Sequence, residues 1–172
     1  SWLLDAVARD AHEWDEWFGR STDIGGLERE RNILRYRPAP TQVRGCADAK
    51  LVDVARVVAA GLVAAGDDIS VCLDPSFGEG LGRALRSVGV AVTTASDEDW
   101  YASLGAGRVR LVGGNPSRAA DEVDGNPDLV VWANEVTSAP QIEFLPFLRE
   151  QSVSVTAHRF GNVDAGALSV RL

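Results

Sequence analysis

Apolar and polar positions follow a helical period at the start of the chain. Apolar side chains recur at three- and four-residue spacings: Leu3, Val7, Ala11, Trp14 and Phe18. Charged residues fill the positions between them, so the pattern predicts an amphipathic helix over residues 1–18. Glycines punctuate residues 19–26 and indicate a connector. We therefore treat residues 1–26 as an N-terminal helix and connector.

Further along, short apolar runs alternate with amphipathic helical stretches. Strands are predicted at 69–73, 90–94, 108–112, 129–133 and 152–157, and helices at 48–65, 80–88, 97–104, 117–123 and 141–150. Strands separated by helical stretches favour right-handed crossovers and parallel pairing. The predicted fold class is α/β: a three-layer, Rossmann-like, mostly parallel sheet of five to six strands, preceded by the N-terminal amphipathic helix. This domain is expected to span residues 27–161, with a tail at 162–172.

Three positions sharpen this prediction. Asp48 is expected to cap the first helix of the alternating region. Pro38 and Pro40 exclude an uninterrupted central strand through the extended stretch at 33–43. The apolar run Leu129–Ala133 is typical of a strand covered on both faces, so we expect it to be the most protected strand.

Composition narrows the class of protein. The chain has 172 residues, enough to bury a core without disulfides or metals. Its net charge of −8 argues against a nucleic-acid partner, and no apolar run approaches the roughly 20 residues of a membrane helix. Cys46 and Cys72 form no framework, so we predict reduced thiols and a cytoplasmic protein. Because the chain begins at Ser1 and lacks methionine, we interpret it as a piece excised from a longer polypeptide.

Two glycine-containing loops are weak candidates for cofactor binding. Gly78 and Gly80 have the first spacing of a dinucleotide-binding loop, but the third glycine position is Arg83. Gly113 and Gly114 precede a capping asparagine and a proline, a geometry suited to an anion at a helix N-terminus. An ordinary loop followed by a helix start is the favoured interpretation of both.

Catalytic chemistry finds little support in the sequence. Cys46 ends an extended stretch and could be a reactive thiol, but no glutamate base accompanies it in a recognisable motif. Cys72 alternates with apolar residues inside a predicted strand and is expected to be buried and inert. The two histidines have no metal-ligand spacing. We therefore assign no catalytic residue and no metal site.

The C-terminal region ends in a polar cluster. Residues 144–161 run from an apolar helical pattern into an alternating strand, and the strand is followed by four candidate residues: Thr156, His158, Arg159 and Phe160. At the end of a parallel strand such side chains could bind a ligand. They could equally form an internal structural cluster or face a partner domain, and we favour the partner domain.

Two segments carry a resemblance to a known family. Glu-Arg-Asn-Ile-Leu-Arg-Tyr-Arg-Pro at 30–38 and the region 144–161 resemble the C-terminal part of the long bifunctional proline-utilization enzymes. In those enzymes a flavin-dependent proline dehydrogenase is fused to an aldehyde dehydrogenase that oxidises glutamate semialdehyde, also called 1-pyrroline-5-carboxylate dehydrogenase.

The resemblance implies a supporting role in proline catabolism. It implies a non-catalytic, aldehyde-dehydrogenase-like domain that packs on the catalytic aldehyde dehydrogenase domain of the same polypeptide and helps close the intermediate tunnel. FAD and NAD would then belong to the parent oxidoreductase, with no cofactor in this chain. Trp2 and Trp17 join the C-terminal cluster as candidate interface residues, because aromatic residues favour interface cores. The alternative is a stand-alone nucleotide- or dinucleotide-binding module.

Overall fold

The structure is a computed structural model that describes residues 1–27, 29–159, 162, 163, 166 and 169. The helices are α1 (Trp2–Glu13), α2 (Leu51–Ala65), α3 (Gly78–Ser87), α4 (Asp97–Ala102), α5 (Pro116–Val123) and α6 (Pro140–Glu143). The strands are β1 (Thr22–Asp23), β2 (Glu30–Pro38), β3 (Thr41–Gly45), β4 (Ile69–Leu73), β5 (Ala91–Thr94), β6 (Gly107–Val112), β7 (Leu129–Trp132), β8 (Leu148–Thr156), β9 (His158–Arg159) and β10 (Asn162–Val163). A π-helical turn at Trp14–Phe18 continues α1, and 3₁₀ turns lie at Gly66–Asp68, Pro75–Phe77 and Leu145–Phe147.

Strands β3 to β7 form one parallel sheet in the order β5–β4–β3–β6–β7. Helical crossovers return the chain to the same edge after each strand, which is why every neighbouring pair is parallel. Buried side chains form two clusters, one with α2 and one with α4 and α5. The predicted α/β class, with a parallel sheet of five strands and an N-terminal helix, is confirmed.

The centre of the sheet is β3, which corrects one expectation. Leu129–Ala133 was expected to be the most protected strand, but β7 lies at an edge of the sheet and Val130 is 42% exposed. Val43 of β3 is fully buried with a neighbouring strand on each side. A continuous apolar run therefore does not reveal a strand's place in the order of the sheet.

Helix α2 begins later than predicted. Asp48 was expected to cap it, but the N-cap is Lys50 and has no capping side-chain bond. The Asp48 carboxylate instead accepts a hydrogen bond from the backbone N–H of Gly114, at 2.7 Å. The helix ends as predicted at Gly66, whose φ of +55° is open to glycine without steric cost.

A second, antiparallel sheet was not predicted. β2 pairs with β8 over nine residue positions without a bulge, and β1 pairs with the other edge of β2. Pro38 ends β2, and β3 then begins in the other sheet, so the prolines separate two strands as the sequence required. We call the β2–β8 pair the ribbon.

The helix expected at 141–150 is wrong. α6 ends at Glu143, and a 3₁₀ turn containing Pro146 follows, because proline supplies no N–H for a continuing helix. The chain is then extended from Leu148, where the hydrogen bonds of β2 replace those of a helix. Long-range pairing overrides the local apolar pattern here.

Buried ion pairs fasten α1 and α6 to the body of the domain. Asp10 of α1 receives two hydrogen bonds from Arg56 of α2, and Glu143 of α6 receives two from Arg110 of β6. All four side chains have no exposed surface. Thr137 joins the pairs, since its carbonyl accepts from Arg56 and its N–H donates to Glu143. Burial raises the pKa of Asp10 despite the opposing effect of Arg56.

The division into residues 1–26, 27–161 and 162–172 stays a prediction. In the part of the chain that the structure describes, no helix is long and apolar enough to cross a membrane.

Candidate functional site at the carboxyl edge of the sheet

The strand order creates a topological switch point between β3 and β6. From β3 the chain crosses over to β4 on one side, and β6 continues to β7 on the other. The loops that leave the two strands, residues 46–50 and 113–115, therefore diverge at the carboxyl edge of the sheet. In open parallel sheets this crevice is where ligands bind, so it is the first place to look for a site.

The loops after β3 and β6 contact each other directly. Gly113 and Gly114 both have positive φ values, +71° and +73°. A methyl group added to Gly113 would lie 2.6 Å from Asp48 Oδ1, and one added to Gly114 would lie 2.7 Å from Cys46 Sγ. The two glycines are thus required by the contact between the loops. A cavity of about 440 Å³ lined by Lys50, Gly113 and Asn134 lies beside this contact.

Backbone donors that could hold an anion already have partners. The N–H of Gly114 donates to the Asp48 carboxylate, and the N–H of Asn115 donates to the Tyr101 hydroxyl at 3.0 Å. The Asn115 side chain caps α5 by accepting from Ser117 N at 2.9 Å. A carboxylate in this position also repels phosphate. The loop has the geometry of an anion site, with Asp48 as its internal anion.

A buried arginine joins three strand ends beside the crevice. Arg44 of β3 has no exposed surface, and its guanidinium donates to Asp97 Oδ1 at 2.6 Å, to Ala95 O at 3.0 Å and to Cys72 Sγ at 3.2 Å. Asp97 also accepts from Ala47 N at 3.2 Å. Burial opposes the charge on Arg44, but the Asp97 bond and its other partners outweigh burial and raise its pKa. These hydrogen bonds hold the loop after β3 against the loop after β5.

The cysteines are not placed for nucleophilic catalysis. Cys46 is fully buried, and burial raises the pKa of its thiol to about 12, so the thiolate is absent at neutral pH. A buried, protonated thiol is a weak nucleophile. Cys72 is buried in β4, as expected. Across the described residues, no three His, Cys, Asp or Glu side chains gather as metal ligands would.

The other glycine loop lies elsewhere. Gly78 and Gly80 follow β4, and Gly78 borders a small cavity of about 140 Å³ together with Asp74 and Arg86. Asp74 caps the turn at Pro75–Phe77 by accepting from Ser76 N at 2.9 Å; this bond lowers its pKa although burial opposes the shift. The structure thus places the two predicted glycine loops at different strand ends and does not combine them into one site.

The candidate interface residues occupy two regions. Trp2 and Trp17 lie at opposite ends of the N-terminal helical segment and are 43% and 44% exposed. Thr156 ends β8 and is exposed, and the backbone of His158–Arg159 pairs with β10. Phe160 lies outside the described residues. Their assignment to an interface stays a prediction.

Sequence reasoning missed the free edge of β8. β2 covers one edge of this strand, and in the described residues no strand covers the other. Residues 152–155 alternate serine and valine without charge, proline or bulge, whereas natural edge strands usually carry such protection. The alternation of serine and valine was the sequence signal for this uncovered edge. It indicates a strand that can pair with a further strand.

Strand order and crevice place the chain in the Rossmann-like α/β class. No known family and no curated protein matches its sequence. Among solved structures it is similar to proline utilization A from Corynebacterium freiburgense, at 26% identity and a TM-score of 0.63. The match covers 95% of this chain and 14% of that chain, so the chain corresponds to a small part of the protein it resembles.

Proposed function

We propose that this chain is a non-catalytic, aldehyde-dehydrogenase-like domain from the C-terminal part of a bifunctional proline dehydrogenase and glutamate-semialdehyde dehydrogenase. It packs on the catalytic aldehyde dehydrogenase domain of the same cytoplasmic polypeptide and helps close the passage through which the intermediate travels. FAD and NAD bind to the parent enzyme, outside this chain.

The observation that carries the proposal is the similarity to proline utilization A over 95% of the chain. The contact between the loops supports the non-catalytic part, because the Asp48 carboxylate already takes the Gly114 N–H, a donor of the kind that binds a cofactor phosphate. The buried Cys46 supports it too, since an aldehyde dehydrogenase acts through an accessible thiolate.

The surface offers the features of a packing unit. In the described residues no strand covers the second edge of β8, and a strand of the catalytic domain can complete it. Trp2 and Trp17 add exposed aromatic surface at a second location. We include Thr156 at the end of β8, and His158 and Arg159 after it, in the same proposed contact.

The test is reconstitution with the parent polypeptide. A parent truncated before this chain should oxidise proline and glutamate semialdehyde separately, but NADH should appear after a lag when proline is the substrate. Adding the chain in trans should shorten the lag. A chain with Trp2→Ala and Trp17→Ala should do so less well, whereas Val88→Ala, which is 64% exposed, is the matched control. A parent whose lag ignores the chain would contradict the proposal.

Calorimetric titration addresses the alternative of a nucleotide-binding module. We expect no micromolar binding of NAD, NADP, FMN or ATP to the chain. Binding of any of them, weakened by Gly114→Ala, would favour the module and show that the crevice opens.

A further inference from the structure

We propose that the basic face of the ribbon binds an extended acidic segment whose carboxylates stand at alternate positions. This inference deepens the proposed function, on which it rests for the identity of the partner: the segment belongs to the polypeptide on which the chain packs. It concerns Arg35, Arg37 and Arg149, which we call the arginine row.

The register of the ribbon sets these arginines together. Arg37 lies directly opposite Arg149, and Arg35 lies directly opposite Gln151. Directly opposed residues in an antiparallel pair share a face, and residues two apart on one strand share it too, about 7 Å along. All three guanidinium groups therefore start from one face of the ribbon. Tyr36 points from the other face and packs on Phe18.

The arginine row lacks an internal counter-charge. No ion pair within the described residues joins Arg35, Arg37 or Arg149 to a carboxylate; Arg35 donates to Gln151 Oε1 at 2.7 Å. Arg37 and Arg149 line a cleft of about 460 Å³. Asp68 and Glu150 also line this cleft but form no ion pair with Arg37 or Arg149. Like charges directly opposite each other destabilise a strand pair.

The arginine row differs from the rest of the molecule, which is acidic overall and pairs its buried arginines with carboxylates. The chain carries a net charge of −8, and its buried arginines each have an acidic partner: Arg44, Arg56 and Arg110. Arg149 also acts on Arg108, whose pKa is lowered first by burial and then by this neighbouring charge. An acidic protein that gathers unpaired arginines on one face presents a complement to an acidic surface.

Spacing selects an extended segment as the occupant. Side chains at alternate positions of an extended chain lie on one side at about 7 Å intervals, which matches Arg35 and Arg37 along β2. Guanidinium groups bind carboxylates through two parallel hydrogen bonds, so each matched pair adds geometric specificity. A compact anion such as phosphate would contact the opposed pair Arg37 and Arg149 and leave Arg35 unused.

Synthetic peptides test this directly. A blocked peptide of alternating threonine and glutamate should bind the full chain severalfold more tightly than a peptide of the same composition with its glutamates adjacent. Fluorescence polarisation at about 50 mM salt keeps the electrostatic attraction measurable, and binding should fall at higher salt. The double variant Arg37→Gln and Arg149→Gln should weaken binding at least about tenfold.

The matched control changes the same charge elsewhere. Arg83→Gln with Arg86→Gln on α3 removes two exposed positive charges and should leave peptide affinity within about twofold. The proposal would be overturned if both double variants lost the same peptide affinity, or if both peptides bound the chain equally well. Either result would mean that net charge alone determines binding. Displacement of the peptide by millimolar phosphate would also overturn it, in favour of a small-anion site.

The outcomes separate this inference from the proposed function. If the peptides show no preference while the chain still shortens the lag of the truncated parent, the arginine row is not the docking surface and the proposed function stands. If the alternating peptide binds as expected but the parent ignores the chain, the acidic segment belongs to another partner and the proposed function fails.

Discussion

Two polar regions of this molecule differ in how their charges are matched. At the carboxyl edge of the parallel sheet, Asp97 accepts hydrogen bonds from Arg44 and from the loop after β3, and Asp48 accepts one from Gly114 in the loop after β6. On the ribbon, Arg37 and Arg149 face each other and one edge of β8 is uncovered in the described residues. Matched charges stabilise the isolated chain, whereas unmatched ones act only with a partner. The sheet edge therefore carries contacts that stabilise the fold, and the ribbon is where we propose recognition of a partner.

Of the substitutions considered, Gly114→Ala, where the loops after β3 and β6 meet, is expected to lower the free energy of unfolding the most. The substitution places a methyl group 2.7 Å from Cys46 Sγ and forces a φ of +73° on a residue with a side chain. Strain of roughly 1–2 kcal/mol adds to overpacking of roughly 1–3 kcal/mol. The free energy of unfolding, measured with urea, should fall by about 2–5 kcal/mol.

Gly80→Ala is the matched control for that substitution. Gly80 lies in α3 with open space around it, so alanine should raise the free energy of unfolding by roughly 0.5–1 kcal/mol. Equal effects of the two substitutions would show that the loops after β3 and β6 do not pack as described.

A smaller effect is expected from Asp97→Ala at the same edge. The substitution leaves the buried Arg44 guanidinium without its shortest hydrogen bond, although Asp74 Oδ2 stays within 3.9 Å. Removing one partner of a fully buried pair costs roughly 3–5 kcal/mol, and the 31% exposure of Asp97 reduces that to about 2 kcal/mol. The melting temperature should therefore fall by about 4–8 °C.

Asp99→Ala controls for loss of a carboxylate on the same helix. Asp99 is exposed and accepts only from Ser96, so its loss should lower the free energy of unfolding by less than about 1 kcal/mol. If Asp97→Ala is as mild as Asp99→Ala, solvent reaches Arg44 and the edge is open.

The two regions also differ in how far the sequence predicted them. Four strands of the parallel sheet and α1 followed from local periodicity, which short segments carry on their own, whereas the central strand β3 was predicted only as part of an extended stretch. The ribbon did not, because β2 and β8 are separated by more than a hundred residues and the helical pattern of 141–150 concealed the start of β8. The Asp48–Gly114 bond joins residues 66 apart, so the sequence indicated only a cap at Asp48.

At the ribbon, a lysine on the free edge should leave stability almost unchanged. Ser152 is exposed on β8, and surface substitutions away from special features usually change the free energy of unfolding by less than about 0.5 kcal/mol. Lysine is a common protection of natural edge strands, so Ser152→Lys should also reduce self-association in sedimentation velocity. A loss of several kcal/mol would mean that this edge is covered inside the chain.

The smallest effect is expected where β1 turns into the ribbon. Asp23 Oδ1 accepts hydrogen bonds from the backbone N–H groups of Asn32, Gly25 and Gly26. These bonds, that from Asn32 first, lower the pKa of Asp23 below its ordinary value of 3.8. A carboxyl group whose pKa is lower in the folded state contributes stability that is fully present above 3.8 and is lost as the pH falls through the lower, folded value.

Asp23→Asn should therefore remove part of the acid sensitivity of the chain while keeping an oxygen that can accept some of the bonds. Because Asp23 is exposed, the effect on the melting temperature should be small. The melting temperatures of the variant and of the unsubstituted chain should differ slightly near pH 7 and converge as the pH falls below 3.8. Asp15→Asn, an exposed carboxylate of the π-helical turn, is the control and should not produce this convergence. A difference that grows toward low pH would have the wrong sign and would show that the Asp23 carboxylate does not hold the turn between β1 and β2.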